Sequence, residues 1–181
     1  HPDLSNTYHA LEALHYTRDL VKEAPDKAFD LDWEAAINFV ANCQQRPSSN
    51  KAEWVSKDAK DHGGFVYFPG KSMSTEETAD GKVALRSYGS MSYAGLLSFI
   101  YAEMDPKDPR ILAVRDWLSA NYSVEENPGL GPQGLYYYYH TMSKALSLSG
   151  LTKIKDKDGK AHDWRRELAQ KLFDLQQSNG S

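Results

Sequence analysis

The sequence predicts an all-α fold in which buried inner helices alternate with half-exposed outer ones, as in a double-layered helical ring. Three stretches within Arg86–Gly150 carry that expectation. Tyr88–Glu103 is apolar nearly all round, and a helix without a polar face has to be covered on most sides. Pro109–Tyr122 puts Ile111, Val114, Leu118 and Tyr122 on one side and Arg110, Arg115 and Asp116 elsewhere, the pattern of a one-sided surface helix. Tyr136–Ser147 is again aromatic and apolar.

A chain of 181 residues is long enough to bury a core and fits a single domain over residues 1–181. Its 40% hydrophobic and 12% aromatic content argues against disorder, where aromatics are scarce. The net charge of −4, with Lys and Arg dispersed, leaves no footprint for nucleic acid, so no such partner is expected. No apolar run approaches the ~20 residues of a spanning helix, so no membrane span is expected. The single cysteine, Cys43, cannot form an internal disulfide and leaves the redox compartment open. Both ends read as abrupt, and the segment is expected to be truncated at each.

Taken in order, the first helix opens at Asp3-Leu4-Ser5-Asn6-Thr7, with Ser5 or Asn6 expected as its N-cap. Ala10, Leu11, Leu14 and Val21 fall at helical spacing, and Pro25 is expected to end the helix. A second helix begins near Asp32 with Trp33, Ala36, Ile37, Val40, Ala41 and Gln44 on one face. Residues 46–85 form a long polar insertion, punctuated by Gly63-Gly64 and Pro69-Gly70. Between those pairs Phe65–Phe68 reads as a short extended segment. A connection of that length is often a functional or partly disordered loop, but a surface ornament is the favoured expectation. Leu151–Ala161 reads as a hairpin turning at Asp158-Gly159. Asp163–Gln177 reads as the last helix, with Leu168, Leu172 and Leu175 inward and Glu167 paired to Lys171 outside.

The outer segments Trp33–Gln45 and Trp164–Gln177, the latter running into Ser178-Asn179-Gly180-Ser181, resemble repeats of the squalene cyclase and protein prenyltransferase β-subunit superfamily. The inner segments Asn6–Leu14, Gly89–Leu97 and Tyr139–Leu146 resemble the same family. The likeness spans most of the chain outside residues 46–85. It is strongest to bacterial prenyltransferase/squalene oxidase repeat proteins of unassigned activity. The resemblance implies an (α/α) toroid, here an incomplete ring, with a central cavity lined by aromatics that receive prenyl chains or stabilise cations. It also implies that some relatives are exported, although nothing in these residues fixes a compartment.

The family's chemistry can be tested against the residues. Class II cyclases protonate an alkene with the middle carboxylic acid of a D-x-D-D-T motif, which needs a protonated acid in an apolar site. In Asp3-Leu4-Ser5-Asn6-Thr7, Asp3 and Thr7 fit, but Ser5 stands at the donor's position and Asn6 at the next Asp. A hydroxyl and an amide cannot protonate carbon, so cyclisation by this segment is not expected. Prenyltransferase β-subunits bind zinc through Asp, Cys and a His in a Tyr-His-Thr sequence. Tyr139-His140-Thr141 matches the last, but Arg86 and Tyr88 stand where Asp and Cys should be, and Cys43 lies on an outer helix. No metal and no cofactor are therefore expected. Asp156-Lys157-Asp158-Gly159 departs from a calcium loop at its glycine. No H-E-x-x-H, phosphate-binding glycine loop or G-x-S-x-G elbow occurs.

What remains is aromatic. Tyr88, Tyr93, Tyr138, Tyr139 and His140 are the candidate ligand-binding residues, and Asp3 and His140 the weak catalytic candidates. Tyr136–Tyr139 span ~300° of a helix, so they cannot all face one cavity. The favoured expectation is a non-catalytic repeat protein that binds an apolar or prenyl-type ligand in a tyrosine-lined cavity. The alternatives are a class II cyclase or prenyl-handling enzyme whose acid lies outside this segment, and a scaffold for a protein partner.

Overall fold

The structure is a computed structural model that describes residues 2–23 and 31–180. Six helices are described: α1 (Leu4–Glu23), α2 (Trp33–Asn42), α3 (Gly89–Tyr101), α4 (Pro109–Ala120), α5 (Leu135–Leu148) and α6 (Trp164–Leu175). Two antiparallel hairpins accompany them, β1 (Ser74–Glu77) with β2 (Val83–Arg86) and β3 (Ile154–Lys155) with β4 (Ala161–His162). The expectation of an all-α (α/α) toroid is therefore corrected to a mixed α and β fold. The strands β1 and β2 are not signalled by the sequence because Ser-Thr-Glu-Glu and Val-Ala-Leu-Arg are short and mostly exposed or half-buried, with no apolar face to show as alternation.

Helix α3 is the centre of the molecule. Every residue in it except Ile100 is buried, as its all-round apolar pattern requires. It packs between α1 and α5, with α2 and α4 also against it and α6 against α5. Helices α1, α3 and α5 run the same way. Asp3, Tyr88 and Tyr137 meet at their N-terminal ends, and His15 Nδ1 lies 3.0 Å from the Tyr101 carbonyl oxygen toward the other.

Several boundaries and faces differ from expectation. The cap of α1 is Asp3, not Ser5 or Asn6: its Oδ1 accepts the Asn6 backbone N–H at 2.9 Å. The buried stripe of α1 is Leu4, Tyr8 and Leu11, while Ala10 and Leu14 face outward. Pro25 lies outside the described residues, and nothing is described of the Val21 side chain. Asp32 and Asp163 cap α2 and α6 through the N–H groups of Ala35 and Arg166. On α6, Leu168 is buried but Leu172 is 40% exposed. Glu167 and Lys171 do not pair with each other; Glu167 turns to Tyr122 and His162, and Lys171 to Glu125.

Residues 46–85 are built into the core. Phe65 and Val66 are fully buried, and the Phe65 ring stands edge-on to Phe99 of α3 at 5.7 Å. The run Phe65–Phe68 forms isolated bridges, Gln44 to Phe65 and Phe68 to Lys71, in place of a strand. Two glutamines after α2 fasten it. Gln44 Nε2 donates to the carbonyls of Gly63 and Arg110, and Gln45 Nε2 donates to that of Leu85 at 2.7 Å. No described helix is long and apolar enough to cross a membrane.

Candidate functional site

Four separate parts of the chain converge on the N-terminal ends of the three central helices. The cap of α1 supplies Asp3, its second turn Tyr8, residues 46–85 Tyr67, the cap position of α3 Tyr88, and the first turn of α5 Tyr137. Asp3 is buried and saturated with donors. Its Oδ1 accepts from Ser5 Oγ at 2.6 Å and from the Asn6 N–H, its Oδ2 from Asn6 Nδ2 at 2.7 Å, and the Tyr67 hydroxyl also donates to it. Burial pushes its pKa up, but the hydrogen bonds from Ser5, Asn6 and Tyr67 outweigh it and hold the carboxyl below its ordinary value. Asp3 is thus an ionised acceptor. The residues that replace the cyclase acid pattern, Ser5 and Asn6, are the ones that keep it so.

The phenols of Tyr8, Tyr88 and Tyr137 stay protonated. Burial, then the charge of Glu12, pushes Tyr8 up to about 12. Burial likewise raises Tyr88 and Tyr137, with Asp3 and neighbouring phenols adding to it. The hydroxyls of Tyr8 and Tyr137 are buried and have no hydrogen-bond partner among the described residues. Tyr137 is a donor beside the already saturated carboxylate, and Tyr8 is a donor beside Tyr137. Cys43, beneath the same cluster, is pushed up to about 12 by burial and Asp3, and its Sγ donates to the Phe39 carbonyl. Such a thiol is inert.

The remaining candidates lie elsewhere. Tyr93 and Tyr138 pack ring against ring at 5.7 Å between α3 and α5. The Tyr138 hydroxyl donates to the Ser123 carbonyl at 2.8 Å and that of Tyr139 to the Val124 carbonyl at 2.6 Å, fastening α5 to the loop after α4. These three are buried as interior packing between α3, α5 and the loop after α4. His140 is exposed on α5 and lies near His9 and Lys144, away from Tyr88. The four consecutive tyrosines fan out: Tyr136 to solvent, Tyr137 toward Asp3, Tyr138 and Tyr139 inward. Of the sequence candidates, Asp3 and Tyr88 come together in this cluster, while Tyr93, Tyr138 and Tyr139 meet ring to ring in the seam between α3 and α5. Tyr8, Tyr67 and Tyr137 were missed, although a run of four tyrosines had to send one of them in a direction of its own.

Among the described residues, no three His, Cys, Asp or Glu side chains are placed to hold a metal ion. No protein-family model, no curated protein and no solved structure matches this chain.

Proposed function

We propose that the chain is a prenyltransferase/squalene oxidase-type repeat protein that binds an apolar or extended ligand at the N-terminal ends of α1, α3 and α5, without cyclising it there. The observation that carries this reading is the pair of buried phenol donors, Tyr8 and Tyr137, set among aromatic rings with Tyr137 beside an ionised Asp3. A carboxylate held ionised by four donors does not protonate an alkene, which favours binding over cyclisation. The alternation of central helices α1, α3 and α5 with α2, α4 and α6 supports the family resemblance.

A scaffold role is the second reading. It is favoured by an exposed apolar strip in which Tyr136 (66% exposed) and Phe173 (71%) flank Leu172 and Leu175.

Mass spectrometry of an organic extract of natively purified protein separates the two. A stoichiometric polyprenyl or terpenoid species, lost in a Tyr8→Phe/Tyr137→Phe double variant, is the expected result. A blank extract, repeated after incubation with squalene and prenyl diphosphates, overturns ligand binding in favour of the scaffold.

A further inference from the structure

A second recess lies at the opposite end of the central helices from Asp3. The C-terminal ends of α3 and α5 and the first two turns of α4 enclose about 240 Å³. Its walls are mostly apolar, formed by Leu96, Ile100, Met104, Ile111 and Leu148, and the polar Ser149 and one cation, Arg115, stand among them. Leu96 and Ile111 are buried, and Leu148 is 45% exposed at the rim.

Arg115 differs from three other half-buried arginines, Arg18, Arg86 and Arg110. Arg18 pairs with Glu103 at 2.6 Å, Arg86 with Asp61 at 2.7 Å and Arg110 with Asp108 at 2.8 Å. Arg115 has no carboxylate or other hydrogen-bond partner among the described residues. The nearby C-terminal ends of α3 and α5 carry partial negative charge, which favours a guanidinium there without neutralising it.

We propose that this pocket binds a small hydrophobic carboxylate, its chain or ring against Leu96, Ile100 and Ile111 and its carboxylate on Arg115. A guanidinium matches a carboxylate with two parallel hydrogen bonds, and apolar walls that exclude water strengthen them. One cation suits a monoanion, and a chain of net charge −4 disfavours multiply charged ligands. The volume falls below the roughly 300–1,000 Å³ of sites for drug-sized ligands, so the occupant is a short chain or a single ring.

Isothermal titration of the full chain with octanoate, and with octanamide as its uncharged counterpart, tests the assignment. Octanoate should saturate one site and bind at least about tenfold more tightly than octanamide. Arg115→Gln should reduce octanoate to the octanamide level, whereas Arg115→Lys keeps part of the preference. Leu148→Trp, which narrows the mouth, should weaken both ligands with an unchanged circular dichroism spectrum. Equal binding of the two ligands, no saturable octanoate binding, or full binding by Arg115→Gln or Leu148→Trp each overturns the proposal.

Discussion

Arg86 Nη1 donates to the buried carboxylate of Asp61 across 2.7 Å, tying the end of β2 to the turn at Ala59–Asp61. The same carboxylate accepts Ser56 Oγ at 2.6 Å and the Ser87 N–H at 3.0 Å, so residues 56–61 and the entrance to α3 share one anchor. Glu76 and Asp58 also reach Arg86, but both are about half exposed, and surface partners contribute little. Removing one partner of a buried pair leaves the other charged and unpaired, which costs about 3–5 kcal/mol. Asp61→Ala should therefore lower the unfolding free energy by about 3 kcal/mol, read from urea denaturation. A loss no larger than the ~1 kcal/mol of a surface pair would show that Arg86 is satisfied by Glu76 and Asp58 alone.

The chemistry of this anchor was out of reach of the sequence, because Asp61 and Arg86 have no local pattern that pairs them. The central helices were legible, since an all-round apolar run such as Met91–Phe99 has one physical solution, burial on every side. Residues 46–85 were not. Their packing rests on single contacts: Gly95 leaves the space that the Phe65 ring fills, and a Cβ there would lie 2.7 Å from it. Neither residue announces the other. The β1–β2 hairpin did carry a signal in Asp80-Gly81, where Gly81 turns at φ 76°, but strands of four residues gave it no support. At the candidate site, Asp3 was visible as a degraded acid motif. The phenols around it arrive from four segments, and only tertiary structure could bring them there.

His162 holds the β3–β4 hairpin to α6 through both ring nitrogens. Nε2 lies 3.0 Å from Asp156 Oδ2 and Nδ1 2.9 Å from Glu167 Oε1, while the Tyr122 ring packs on it and Lys160 opposes its charge. Donation to both carboxylates requires the imidazolium. The hydrogen bond to Asp156 raises the pKa of His162 against the effect of burial, and Glu167 adds to the rise. A raised histidine stabilises the fold fully below its unfolded value near 6.5, and that contribution is lost as pH rises through the folded value. The Asp156 pKa is lowered, chiefly by His162, so its share is present above 3.8 and lost as pH falls through the lowered value. The clamp is thus fullest between those two pH values. The gap in melting temperature between wild type and His162→Gln should be widest near pH 5 and close toward about pH 9. A gap constant across that range would mean that His162 acts by packing alone.

Tyr93 and Tyr138 test the same question in one place, because their rings touch and differ in what their hydroxyls meet. Tyr138 donates to the Ser123 carbonyl at 2.8 Å, whereas the Tyr93 hydroxyl is buried without a partner among the described residues. A buried unsatisfied polar group costs about 1–3 kcal/mol, and a satisfied hydrogen bond contributes about 1 kcal/mol. The two Tyr→Phe substitutions remove the same atom from neighbouring sites, so shape and area cancel in the comparison. Tyr93→Phe should stabilise the protein by about 1 kcal/mol, and Tyr138→Phe should destabilise it by a similar amount, both measured by urea denaturation. If both variants lose stability equally, the Tyr93 hydroxyl is satisfied in solution. The aromatic seam between α3 and α5 would then be more polar than its packing suggests.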